Sequence, residues 1–123
     1  MDEETALKIA SGFGGGMGRM AETCGTVTGA MMVLGLRFGA ALPDRAAKEL
    51  VYAKVWKFAD RFKTRNGSLL CRDLLACDIS TPEGYEAAKE KQLVSTTCPK
   101  FVRDAAEILE EMLSIKQGKT SEN

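Results

Sequence analysis

The sequence predicts an all-α fold, a compact single-domain bundle of about five or six helices. Two observations carry this expectation. Every long apolar segment repeats at spacings of three and four or is apolar all round, and no stretch alternates with a period of two. Helix-start signals also stand at intervals along the chain, as Asp2, Pro43–Asp44 and Thr81–Pro82.

Asp2 is a suitable N-cap for a short helix to about Ser11, with Glu3 and Glu4 in the first turn, where the helix dipole favours acid. Gly12 ends it. The run GFGGGMG from Gly12 to Gly18 resembles a phosphate loop only superficially, because a helical pattern precedes it where a strand is required and no GK[ST] follows. It is expected to be a tight turn in which backbone approaches backbone or a bound group.

A central helix follows, capped by Thr23, beginning near Cys24 and running to about Gly39. Val27, Met31, Met32, Val33, Leu34, Leu36 and Phe38 make it apolar on nearly every side. Gly25 and Gly29 share one face and are expected to let a neighbour come close. Pro43 and Asp44 open a third helix with the stripe Ala47, Val51, Val55, Phe58, Phe62, and Asn66 and Gly67 stop it. The segment from Ser68 to about Ala76 reads as a short helix carrying Cys71, with Cys77 at its end. In a regular helix the six-residue separation turns these two sulfurs apart, so joint use requires a break before Cys77. Thr81 or Ser80, then Pro82, start a helix to about Lys91. A last helix is expected from Pro99, with Phe101, Ala105, Ile108 and Met112 in one line and Val102, Leu109 and Leu113 beside it. Residues 1–116 thus form the domain, and 117–123 a polar tail.

Composition narrows the function. Seventeen basic and seventeen acidic residues give no net charge, and no basic block interleaves with aromatics, which argues against nucleic acid. The acidic N-terminus lacks a secretory pattern, and the apolar run from Cys24 to Leu42 is broken by Arg37 and four glycines. Neither an export signal nor a membrane span is therefore expected, and a cytoplasmic location follows.

With no histidine, hydrolytic Cys–His or Ser–His pairs are impossible, and the chemistry must be that of Cys24, Cys71, Cys77 and Cys98. In a reducing compartment these are free thiols or metal ligands rather than structural disulfides. Cys98, just before Pro99, is expected at the start of the last helix, where the dipole lowers a thiol pKa; Cys24 is placed similarly at the central helix. Buried free cysteine is also commonly inert, so position alone leaves both readings open.

The stretches GFGGGMGRMAETCGTVTGAMMVLGL, CRDLLACDISTPEG and CPKFVRDAAEILEEML together resemble the redox-active proteins called the C_GCAxxG_C_C family, over Asp2 to Leu113. On that resemblance Cys24, Gly25 and Gly29 match the CGAxxG motif, with Thr26 in place of alanine. Cys71 and Cys98 match the two downstream cysteines. The family's first cysteine lies in a helix upstream of DEETAL and has no counterpart after Met1. Either Cys77 supplies a fourth thiol or the site stands at three, and the uncovered bundle implies an apolar groove or a homodimer.

Related domains joined to split-Soret multihaem cytochromes are associated with an iron–sulfur centre. The resemblance therefore implies that Cys24, Cys71, Cys98 and Cys77 hold an iron–sulfur cluster, or zinc as its chemical neighbour, and pass electrons to a redox partner protein. A metal-free dithiol–disulfide protein and a helical interaction module with incidental cysteines are the other two expectations.

Overall fold

The computed structural model describes residues 1–114; the polar tail expected from Gln117 lies outside them. Six right-handed helices follow one another: α1 Glu3–Ala10, α2 Gly25–Phe38, α3 Arg45–Asn66, α4 Cys71–Leu74, α5 Pro82–Glu90 and α6 Leu93–Met112. No helix among the described residues is long and apolar enough to cross a membrane.

Local chemistry accounts for most boundaries. Asp2 caps α1 by accepting from the Thr5 N–H at 2.7 Å, and Asp44 caps α3 by accepting from Ala47 at 3.1 Å. Gly67, with φ +89°, ends α3, and its N–H returns to the Lys63 carbonyl. Thr81 caps α5 through Gly84, with Pro82 at the first position.

Helices α2, α3 and α6 pack together around Val27, Leu34, Phe58, Phe62, Phe101 and Ile108. Phe62 is the middle ring, 5.9 Å from Phe58 and 6.3 Å from Phe101 between centroids. A smaller cluster of Ala21, Cys71, Leu75, Ile79 and Ala88 lies under α4 and α5. Helix α1 buries no residue.

Charges fasten α3 to α6. Asp104, 8% exposed, accepts from Lys100 at 2.6 Å and Arg65 at 3.2 Å, while Arg65 also reaches Glu107 at 2.7 Å. The Lys100 hydrogen bond is the main influence holding the Asp104 carboxyl below the usual carboxylate range, against the opposing effect of its burial.

Three expectations about elements are corrected. Helix α6 begins at Leu93, six residues before Pro99, which therefore stands inside it. Gln92 supplies the start in a left-handed conformation, its carbonyl accepting from the Thr96 N–H and hydroxyl and from the Ser95 hydroxyl. A proline inside a helix leaves out one backbone bond, and Leu93, packed on the smaller cluster, anchors the extra turn. The expected helix from Ser68 shrinks to Cys71–Leu74, because Leu70 is extended and forms an antiparallel bridge with Thr23. That bridge also takes Thr23 away from capping, and Cys24 becomes the N-cap of α2.

Candidate functional site

The site begins at the glycine run. After a 3₁₀ turn at Ser11–Phe13, residues Gly14–Met17 close a turn of the opposite hand. Gly15, Gly16, Met17, Gly18 and Arg19 follow with φ of 66, 73, 70, 61 and 67°. Left-handed backbone costs an L-residue roughly 1–2 kcal/mol, so a run of five such residues depends on its glycines. Gly16 is the least replaceable, since a Cβ there would lie 2.6 Å from the Glu22 nitrogen and 2.8 Å from Ala21 backbone atoms. The turn is pinned by Ala21 and Glu22, whose N–H groups donate to the Gly15 and Gly16 carbonyls at 3.1 and 3.0 Å. Arg19 is held over the Tyr85 ring at 4.1 Å.

The chain leaves this turn extended and pairs with the segment before α4. Cys24 N–H donates to the Leu69 carbonyl at 2.9 Å, and Cys71 N–H donates to the Glu22 carbonyl at 2.6 Å. Around the Thr23–Leu70 bridge this register sets Cys24 opposite Leu69 and Cys71 opposite Glu22, so the two cysteines are diagonal neighbours on one face. An ion pair between Arg72 and Glu22, at 2.8 Å, closes the same pairing. Cys98 arrives from α6 and packs against both apolar clusters.

Cys24, Cys71 and Cys98 line one pocket of about 270 Å³. Its remaining lining is Gly14–Gly16, Gly25, Thr26, Leu75, Ile79 and Val94, and no described residue lining it is charged. Gly25 is needed there for close approach, since a Cβ would stand 2.9 Å from the Phe13 carbonyl oxygen. Gly29 has nothing within 4 Å of such a Cβ, so the expected neighbour on that side of the helix is absent among the described residues.

All four cysteines are free thiols. Burial pushes the Cys71 thiol up to about 11, the nearby sulfurs of Cys24 and Cys98 adding to the effect and Arg72 opposing it. Burial, then Cys24, also raise Cys98. The lowered value expected for Cys98 is thereby overturned: its sulfur lies in the second turn of α6, away from the helix start, and desolvation decides. Cys24 caps the fourteen-residue helix α2 and Cys71 opens the four-residue α4, and the Cys24 sulfur is the one that influences both of the others.

Cys77 goes elsewhere. Helix α4 breaks before it, with Ala76 at φ +53°, but its thiol donates to the Gly84 carbonyl at 3.3 Å and does not line the pocket. A four-thiolate iron–sulfur or zinc site is thus one sulfur short at the pocket. Among the described residues no group of three or more Cys, Asp or Glu side chains is set to hold a metal ion.

A family model described as putative redox-active protein (C_GCAxxG_C_C) matches residues 1–112, nearly the whole chain. The chain belongs to this family. No curated protein and no solved structure matches it significantly. The three cysteines that the resemblance assigned to the motif, Cys24, Cys71 and Cys98, line the pocket, and Cys77 does not. The glycine turn was expected from its consecutive glycines, which adopt left-handed backbone freely, whereas its hand and the Thr23–Leu70 pairing were not.

Proposed function

We propose that the protein is a thiol–disulfide redox protein in which Cys24 and Cys98 cycle between dithiol and disulfide against a disulfide on a partner protein. The observation that carries this reading is the convergence of three free thiols, from three separate elements, on one pocket.

Cys24 is the attacking sulfur. It occupies the end of α2 that favours an anion, and it neighbours both other thiols. Its thiolate attacks one sulfur of the partner disulfide; the Cys24–partner bond forms, the partner's S–S bond breaks, and the leaving thiolate takes a proton. Cys98 then loses its proton and attacks Cys24 Sγ, releasing the partner as a dithiol. Two electrons pass from the Cys24–Cys98 pair to the partner, and two protons go with them. Cys98 is preferred over Cys71 as the resolving sulfur because Cys71, 7% exposed, is fixed by the backbone bond to Glu22.

Hydroxyethyl disulfide serves as the test oxidant. The reduced protein should lose two hydrogens, map to a Cys24–Cys98 bond and recover on reduction, whereas a native fold that will not oxidise removes the proposal. A fold and self-association unchanged by replacing all four cysteines, together with that failure, would leave an interaction module.

The count of three thiols favours a second reading, an iron–sulfur cluster or zinc completed by a fourth thiolate from outside the pocket. Stoichiometric iron with sulfide, or zinc, in anaerobically prepared protein would put it first. Pairing of two copies over exposed Leu36, Leu42, Tyr52 and Trp56 belongs to the same proposal, and sedimentation at increasing concentration tests it, a persistent monomer removing it.

A further inference from the structure

Disulfide exchange uses two sulfurs and leaves Cys71 without a part. We infer that Cys24, Cys71 and Cys98 together form a capture site for a small neutral trivalent thiophile of the arsenous acid class, bound through three sulfurs. The inference rests on the three-thiol pocket and not on the exchange reaction.

Charge selects this ligand class. The described residues lining the pocket include no acid and no base, and its walls are glycine and aliphatic side chains apart from Thr26 and the thiols. A divalent cation bound by three thiolates would leave one net negative charge in this apolar setting, and the buried thiols would first have to ionise against desolvation. Arsenous acid avoids both costs. It enters uncharged, and three S–H groups condense with its three hydroxyls; three As–S bonds form, three As–O bonds break and three waters leave. Arsenic stays trivalent, no electron moves, and the product is neutral.

Size and geometry agree. At about 270 Å³ the pocket lies below the roughly 300–1,000 Å³ of sites for drug-sized ligands, which favours a compact molecule. The three cysteines line a common space, and among the described residues they do not stand as a metal-binding group. A ligand that forms its bonds stepwise can draw them together, two thiols reacting first and the third closing. Cys77, engaged with Gly84 outside the pocket, takes no part.

The test adds sodium arsenite to the reduced full-length chain and reads the intact mass under native conditions. Expected is one arsenic per chain with loss of three hydrogens, and protection of Cys24, Cys71 and Cys98 from alkylation while Cys77 still reacts. Cys71→Ser should weaken arsenite retention at least tenfold yet still take phenylarsine oxide, which needs two thiols; Cys77→Ser should change neither. An adduct keeping a hydroxyl on arsenic, a blocked Cys77, no adduct on the folded chain, or stripping of arsenic by equimolar zinc would each overturn the inference. If Cys71→Ser fails to fold, the protection map of the unaltered protein decides. Arsenite capture without oxidation by hydroxyethyl disulfide would sink the exchange reaction and leave this inference standing; oxidation without three-sulfur capture would do the reverse.

Discussion

Where the second half of α3 meets α6, rings and ion pairs hold helix to helix; where the glycine turn meets α2 and α4, backbone holds backbone. The first region brings Phe58, Phe62 and Phe101 together and pairs Asp104 with Arg65 and Lys100. The second contains a left-handed turn, an isolated bridge and three thiols around an uncharged pocket. One is built from side-chain volume and charge, the other from the absence of side chains. Stability should therefore respond to large-to-small changes in the first region and to small-to-large changes in the second.

The largest expected effect is in the ring cluster. Phe62→Ala removes a fully buried side chain between two other rings and should cost roughly 3–5 kcal/mol, read as a lower urea midpoint. Gly16→Ala comes next. Its left-handed backbone alone costs about 1–2 kcal/mol with a Cβ present, and collision with Glu22 and Ala21 backbone adds to that. The change should also abolish Cys24–Cys98 oxidation, since the turn walls the pocket and leads into the pairing that positions Cys24. Loss of stability without loss of oxidation would show that the two regions are less distinct than this comparison holds.

The regions should also fail at opposite ends of the pH scale. The Asp104 carboxyl is depressed in the folded state, so its contribution is present above the unfolded value of about 3.9 and is lost as pH falls through the folded value. The Cys71 thiol is raised to about 11. Its contribution is full below the ordinary value of 9.0 and is lost as pH rises from there toward about 11. Asp104→Asn should flatten the acid limb alone and Cys71→Ala the alkaline limb alone, measured as unfolding free energy against pH. A single variant that flattened both would break the comparison.

The ring region was legible in the sequence and the thiol region only in part, for a physical reason. Phe58, Phe62, Phe101, Ala105 and Ile108 lie at helical spacings, and burial follows directly from such a stripe. Val102 stands beside that line yet is exposed. At the other end, position is set by contacts between segments distant in sequence. Thr23 looks like an N-cap until Leu70 bridges it, and Pro99 looks like a helix start until Leu93 and Gln92 extend the helix backward. Expecting Cys98 at a helix start carried the wrong sign of its pKa shift with it. The resemblance grouped Cys24, Cys71 and Cys98, but their approach to one pocket, and the departure of Cys77, depend on the left-handed turn and on Ala76.

The smallest effect separates Gly25 from Gly29. Gly25 and Gly29 share a helix face, but only Gly25 has a backbone neighbour within 4 Å of where a Cβ would stand. Gly25→Ala should push the Phe13 carbonyl away, loosening the turn and slowing Cys24 oxidation. Gly29 lies mid-helix in open space with no left-handed φ, so Gly29→Ala removes only the entropy of the unfolded chain and should stabilise by roughly 0.5–1 kcal/mol. Thermal unfolding of the two variants gives opposite signs if Gly25 serves the pocket and Gly29 is free. Destabilisation by Gly29→Ala would instead place a second surface against that face, and the exposed Val33 and Leu36 would then mark where two copies meet.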